Sequence, residues 1–402
     1  MSTATIGTVA EQEAQHILQV YRRTPVVFDR GEGVHLISTE GRRYLDLISG
    51  VGVSSLGYGH AALASAIADQ ARTLLHTSNL FYHPLQAEVA TRLSSLTGLD
   101  RAFFCNSGTE AVEACLKFAR RYWHTKGEHT RTKYIAFSHA FHGRTMGSLS
   151  VTWDDHYRAP FAPLVPNVVF IDNNDAQGLL AAADATTAAI ICEPLQGEGG
   201  VRPFSPAMAQ AIEAACAKSG ALLIADEVQS GSGRTGNFLY SKTLGLTPDL
   251  VALGKAIGAG VPIGVALFTN EVASAAAPGD HGSTYGGNLL ACRAALVFLD
   301  ALQSSSLQAS MRAASDRLFA GLREMQSRHS FITDVRGAGL MVGIEVDFDA
   351  TPVVGQAFER GLLINRTSST VVRLLPPFVI TPTDVDAALP LLEAALVAGR
   401  QQ

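Results

Sequence analysis

Two hydrophobic rhythms alternate along the middle of the chain, from about residue 60 to residue 290. AALASAIADQARTLL, LQAEVATRLSSL, TEAVEACLKFARRYW and AMAQAIEAACAKSG repeat apolar residues every three or four positions, which predicts helices; Gly220 closes the last of them. RAFFC, KYIAFS, NVVFI, AAIICEP, ALLIADEV, DLVALGK and IGVALF are short apolar runs without polar alternation, as expected of strands covered on both faces. Helices between such strands predict an α/β fold: a mostly parallel sheet covered by helices, with right-handed crossovers. The flanks differ. Residues 1–23 read as a loose tail and a short helix, and VVFDRG, VHLIS and RRYLDLI as strands with a TEG turn before the last. After about 290, two long helical stretches lead to strands FITDVRG, LMVGIEV, GLLIN and VVRLL and a closing helix, TPTDVDAALPLLEAAL. That order predicts a smaller α+β domain. The expected division is an N-terminal segment 1–58 packing with the small domain, a large domain 59–295 and a C-terminal small domain 296–402.

Composition narrows the function classes. The 402 residues are 47% hydrophobic and 17% charged, with a net charge of -5 and no basic stripe of the kind that grips nucleic acid. No apolar run reaches the roughly 20 residues a membrane span needs. The N-terminus lacks a secretory pattern, and Glu11 and Glu13 precede the first Arg. The five cysteines, at 105, 115, 192, 216 and 292, form no C-x-x-C and read as free thiols in a reducing cytosol. A cytoplasmic location is expected.

Four places carry candidate chemistry. Lys255 stands in DLVALGKAIGAGVPIGVALF, which holds no other cation. A lysine is ordinarily solvated, but an apolar pocket lowers its pKa and makes it a nucleophile suited to Schiff-base chemistry. Asp226 closes ALLIAD. A carboxylate just past an apolar strand faces the ligand crevice of an open α/β sheet, where it could also be a plain strand-end cap. Lys255 follows the next strand, so both are expected to face one crevice. There an acid could keep a pyridoxal ring protonated. Asn106-Ser107-Gly108-Thr109-Glu110 joins a strand to a helix, which reads either as a simple N-cap or as a phosphate cup. That helix carries an apolar stripe of Val112, Cys115, Leu116 and Ala119, with Glu113 and Lys117 expected to pair at i,i+4. In Phe141-His142-Gly143-Arg144-Thr145 an aromatic could stack on a ring and Arg144 could grip a carboxylate. His139 and His142 lack the further ligands of a metal site. Gly231-Ser-Gly-Arg-Thr-Gly236 fits a dinucleotide pattern but is not expected to open a helix, and Gly254-Lys255 lacks the Ser/Thr of a P-loop.

Taken together, CNSGTEAVEACLKFAR, FHGRT, EPLQGEGGV, LIADEVQSGSGRTG, GKAIGAGVPIG, HGSTYGGN, VRGAGLMVG and VVRLLPP resemble the subgroup-III pyridoxal-phosphate aminotransferases of fold type I. Within them the chain is most similar to the ornithine/acetylornithine type, from about residue 20 to 397. The resemblance implies pyridoxal 5'-phosphate as cofactor. Lys255 would bind it covalently and shuttle the proton, and Asp226 would pair with its ring nitrogen. Gln229 would meet the ring hydroxyl, and Phe141 and His142 would lie against the ring. Ser107, Gly108 and Thr109 would hold the phosphate, joined by Thr284 of the partner subunit, so a homodimer with shared active sites is implied. Arg144 and Ser283 would bind substrate. Arg373 would take the α-carboxylate of glutamate, with Glu198 masking it when an ω-amine is bound, because a buried unpaired Arg is costly.

The activity implied is ping-pong transfer of the δ-amino group of N2-acetylornithine to 2-oxoglutarate, in arginine biosynthesis. The related donors are succinylornithine, ornithine, 4-aminobutyrate and an amino-group-modified lysine precursor. The small residues of LISGVGVSSLGYGH, where ornithine-specific relatives carry a Tyr, favour the acetylated donor. Alternatives of other classes are a nicotinamide-dependent oxidoreductase using GSGRTG and a non-catalytic dimeric scaffold.

Overall fold

A computed structural model describes residues 6–401. Near the N-terminus lie β1 (Phe28–Glu32), β2 (His35–Ser38) and β3 (Arg43–Asp46). The central sheet begins with β4 (Arg101–Cys105), β5 (Lys133–Phe137), β6 (Val168–Ile171) and β7 (Thr187–Cys192). A hairpin of β8 (Leu195–Gln196) and β9 (Arg202–Pro203) interrupts it. The sheet resumes with β10 (Leu222–Asp226), β11 (Leu250–Leu253) and β12 (Gly264–Phe268). Its seven strands lie in the order β4-β12-β11-β10-β7-β5-β6. Only β12 is reversed; every pairing that excludes it is parallel.

The apolar runs form strands because both faces are covered. Along β5, Tyr134 and Ala136 pack in the cluster beneath helix Gly108–Thr125, while Ile135 and Phe137 pack against helix Pro206–Ser219 on the other face. All positions of β7, β10, β11 and β12 are buried. Each wholly buried Ile or Leu contributes about 1.5–3 kcal/mol by leaving water. Helix Pro206–Ser219 starts at Ser205, whose hydroxyl accepts from the Met208 N–H at 3.1 Å, and ends at Gly220 with φ 73°. Both are standard helix terminators.

The last hundred residues add β13 (Ile332–Ala338), β14 (Met341–Val346), β15 (Leu362–Leu363), β16 (Asn365–Arg366) and β17 (Val371–Leu374). A four-stranded sheet runs β13-β14-β17-β16, and β15 instead pairs in parallel with β3. GLLIN, expected to be one strand, is therefore divided. Its first half fills the open edge beside β3, and its second half pairs with β17. The loop after β3 ties these parts together. Ser49 donates its hydroxyl to the Leu375 carbonyl at 2.6 Å, and Ser55 donates to the Ala256 carbonyl at 2.7 Å.

The expected Glu113–Lys117 pair does not form. Glu113 accepts from the Gly147 and Ser148 N–H groups at 2.7 and 3.2 Å, and Lys117 Nζ meets His281 Nδ1 at 2.9 Å. Two free N–H donors at the start of helix Met146–Ser150 outweigh an i,i+4 pair that contributes a few tenths of a kcal/mol.

Candidate active site

The parallel strands end on one side of the sheet, and the predicted chemistry collects at those ends. Register sets it: Asp226, last in β10, lies opposite Ala252 of β11, and three residues later the chain reaches Lys255. Lys255 opens a short 3-10 turn with φ 48°, a left-handed conformation that costs a residue with a side chain about 1–3 kcal/mol. Gly254 allows this turn to lie close: a Cβ there would sit 3.2 Å from Gly108 Cα. The Lys255 amine has no hydrogen bond or ion pair among the described residues. Burial pushes it below the usual lysine range. Glu198, Asp226 and Glu193 oppose that shift, while Arg373 adds to it.

Asp226 is buried and held at both oxygens. His142 Nδ1 lies 2.7 Å from Oδ2, and the Val228 N–H donates to Oδ1 at 3.1 Å. His142 thus belongs with the acid. Ser107 caps helix Gly108–Thr125 and accepts from the Glu110 N–H at 3.4 Å. A Cβ on Gly108 would meet Val228 at 2.5 Å, so only glycine fits between the helix start and the strand-end turn. Thr109 Oγ1 lies 2.9 Å from Thr145 Oγ1 and 2.7 Å from Ser148 Oγ. The helix start thus presents main-chain N–H groups and hydroxyls, a favourable setting for an anion.

The predicted charge-binding groups are Arg373, Glu198 and Arg144. Arg373, on β17, is fully buried. Its Nη1 donates to Glu198 Oε1 at 2.6 Å and to Gln229 Oε1 at 3.0 Å, and its Nε to Asn365 Oδ1 at 3.4 Å. Glu198 stands on the turn between β8 and β9 with its side chain 34% exposed. Burial pushes its pKa up, but Arg373, Lys255 and Gln229 outweigh that and hold it below the usual carboxylate range. Arg144 is exposed, with Cζ 3.6 Å from the Tyr157 ring centroid and 5.5 Å from that of Phe141. No acid pairs with it among the described residues.

Among the described residues Thr284 makes no hydrogen bond to the other predicted site residues. It is exposed, and beside it Ser283 Oγ accepts from Asn106 Nδ2 at 3.2 Å and from the Gly286 N–H at 3.0 Å. The GSGRTG stretch forms consecutive turns followed by a four-residue helix, Tyr240–Thr243, so it lacks the helix a dinucleotide needs. Sequence reasoning gave no role to Tyr157, Asn365 or Glu193. Glu193 directly follows β7, and the same signal that marked Asp226 applies to it.

Residues 18–396 match the aminotransferase class-III family. The chain belongs to the class-III aminotransferases. It is 45% identical to an acetylornithine aminotransferase of Archaeoglobus fulgidus, over 95% of this chain and 98% of that protein. It is 40% identical to one from Methanocaldococcus jannaschii, over 95% and 96% respectively. Among solved structures it resembles an ornithine aminotransferase of Toxoplasma gondii, with TM-score 0.92 and 32% identity, covering 99% of this chain and 95% of that one; PLP is described at that protein's active site. It is likewise similar to an omega-transaminase of Thermomicrobium roseum, with TM-score 0.92 and 29% identity, covering 99% and 100%. Class-III aminotransferases of this kind depend on pyridoxal phosphate, and the crevice fits it. A half-buried amine without a partner among the described residues, a fixed acid, a helix start suited to phosphate and the Phe141 segment meet at the ends of the strands. Among the described residues no single helix is long and apolar enough to cross a membrane.

Proposed function

We propose that this class-III aminotransferase moves the δ-amino group of N2-acetylornithine to 2-oxoglutarate by a ping-pong route, in the arginine biosynthesis of the cytoplasm. The observation that carries the reading is the buried Arg373 with its displaceable partner Glu198. Relatives 39–45% identical bear the name acetylornithine aminotransferase, which supports the donor. So does the loop 47–60: its one tyrosine, Tyr58, donates its hydroxyl to Asp46 at 2.5 Å and so is committed elsewhere.

When bound, pyridoxal phosphate supplies an electron sink for charge developing on the amine-bearing carbon. The rest is work for the protein. Lys255 Nζ anchors the cofactor, then takes the proton from that carbon and returns it. Burial favours the neutral amine this needs. Asp226, steadied by His142, holds a proton at the ring nitrogen. Gln229 would meet the ring hydroxyl, and Phe141 would lie against the ring. Ser107, Gly108 and Thr109 hold the phosphate. With the ω-amine in place Glu198 stays on Arg373; with glutamate it swings away and Arg373 takes the α-carboxylate. Arg144 and Ser283 meet the remote end of the substrate.

Thr284 completes the phosphate site of a second copy in this reading. Around it Leu80, Phe81, Tyr82 and Tyr285 are exposed, and Asn79 ties the two segments by donating to the Ser283 and Gly286 carbonyls at 3.1 and 3.0 Å. Such an apolar patch is what a partner subunit would cover. The division at residue 58 belongs to the same reading, and the β3–β15 pairing supports an N-terminal segment packed with the small domain; the expected boundary at 295 falls inside the continuous helix Leu289–Gln303.

The test is a titration of the yellow holoenzyme. N2-acetylornithine should bleach the visible band and 2-oxoglutarate should restore it. Faster bleaching by ornithine, 4-aminobutyrate or succinylornithine would replace the proposed donor.

A further inference from the structure

Glu193 is a buried carboxylate to which the mechanism above gives no task. It follows β7 directly, and β7 lies beside β10 with Cys192 opposite Ala225, so Glu193 stands next to Asp226 across the two strand ends. It has no Lys or Arg within ion-pair distance among the described residues. What it has is two main-chain donors from two separate loops. The Phe141 N–H donates to Oε1 at 2.8 Å, and the Gly197 N–H donates to Oε2 at 2.9 Å. Phe141 begins the segment that lies against the cofactor ring. Gly197 begins the turn that carries Glu198. Gly197 lies against the Gln229 side chain: a Cβ there would sit 2.2 Å from Gln229 Oε1.

A carboxylate is the one side chain that can accept from both loops at once, since each oxygen is an acceptor and neither is a donor. An amide of the same shape would set an N–H₂ group against one of the two main-chain N–H groups. We propose that Glu193 is a positioning residue that couples the ring-stacking segment at Phe141 to the Glu198–Arg373 gate. Burial and the neighbouring Asp226 push its carboxyl up, while His142 and the two N–H donors favour the ionised form that accepts at both oxygens.

This inference rests on the gate reading above, and the test separates the two. In Glu193→Gln holoenzyme one loop loses its acceptor. The visible circular-dichroism band of the bound cofactor, which reports how firmly the ring is held, should fall at least about twofold. The ratio of kcat/KM for glutamate to that for the amine donor should shift at least about fivefold, mostly through KM. Both signatures are required. A variant that only unfolds more easily, with an unchanged band and both half-reactions scaled equally, overturns the proposal, as does a change in one signature alone. Should Glu193→Gln yield no soluble holoenzyme, Glu193→Asp, which keeps the charge and loses the reach, is read by the same two signatures. Glu198→Ala serves as the control: if it leaves the substrate ratio unchanged, the gate reading fails, and the coupling fails with it. If Glu198→Ala shifts the ratio and Glu193→Gln does not, only the coupling is lost.

Discussion

Two arginines of this protein are equally shut away from water, yet their surroundings differ. Arg373 meets a carboxylate, Glu198, and an amide, Gln229. Arg234 meets main-chain carbonyls, of Leu340 at 3.3 Å and of Pro376, and lies with Cζ 4.4 Å from the Phe378 ring centroid. Its Nε and Nη2 have no partner within the protein among the described residues. The instructive difference is what carries each partner. The carbonyls are part of the folded main chain and cannot leave. Glu198 stands on a turn with a third of its side chain exposed, so it can swing into water. Equal burial therefore goes with two kinds of partner: Arg234 fastens the turn after Gly233 to the C-terminal strands, and Arg373, in the proposed gate, would remain available for a second anion.

Four changes probe this contrast. The largest effect is expected from Arg373→Leu. Losing the grip on the α-carboxylate should lower kcat/KM for glutamate by roughly 10²–10³, as expected when one member of a buried charge pair is removed. The amine half-reaction should fall less than about tenfold, because its substrate places no carboxylate there. Rapid-mixing kinetics of both half-reactions decide it, and equal losses would reduce Arg373 to a fastener like Arg234. Next comes Arg234→Met. It frees two carbonyls but also relieves two unpaired N–H groups, so unfolding free energy should fall by about 1–3 kcal/mol. Urea midpoints measure that loss, while the ratio of the half-reactions should stay at the wild-type value. A changed ratio would erase the distinction.

A smaller effect is expected from Glu198→Gln, which keeps the shape and removes the charge. KM for the amine should rise and KM for glutamate should fall, each by about 3–10-fold. Movement of both in the same direction would contradict the gate. Smallest is the dependence on pH. Glu198 titrates below the usual carboxylate range in the folded protein. Its pairing with Arg373 thus contributes fully above the unfolded pKa and is lost as pH falls through the folded value. The ratio of the two KM values should therefore stay level down through the ordinary glutamate range and turn toward glutamate only below it. A turn beginning above that range would show that another group governs the gate.

The central strands were legible because burial on both faces writes itself as an unbroken apolar run, as in AAIIC or LLIA. Lys255 and Asp226 were legible for the same local reason, each standing just past such a run. The Glu198–Arg373 pair spans 175 positions, and nothing local links its members; only the family resemblance joined them. Glu193 carried the signature of Asp226 and was still passed over. Tyr157 lies in the polar stretch WDDHYR, where nothing marks it as the surface on which Arg144 rests. Arg234 stands in a glycine pattern set aside as a false dinucleotide motif, and nothing local marks its burial, which depends on Leu340, Pro376 and Phe378 far along the chain. GLLIN was misjudged because its two halves take partners from different sheets, a choice that no local pattern encodes.

The parallel pairing of β3 with β15 has a consequence for synthesis. On a ribosome adding about 5–20 residues per second, Leu362–Leu363 emerges roughly half a minute after Asp46. The nascent polypeptide can assemble its central sheet, and the lysine turn that follows β11, long before β3 finds its neighbour β15. Arg373 arrives later still. Chains stalled short of residue 361 should leave the Leu45 and Leu47 amides, which donate to the Gly361 and Leu363 carbonyls, open to hydrogen exchange.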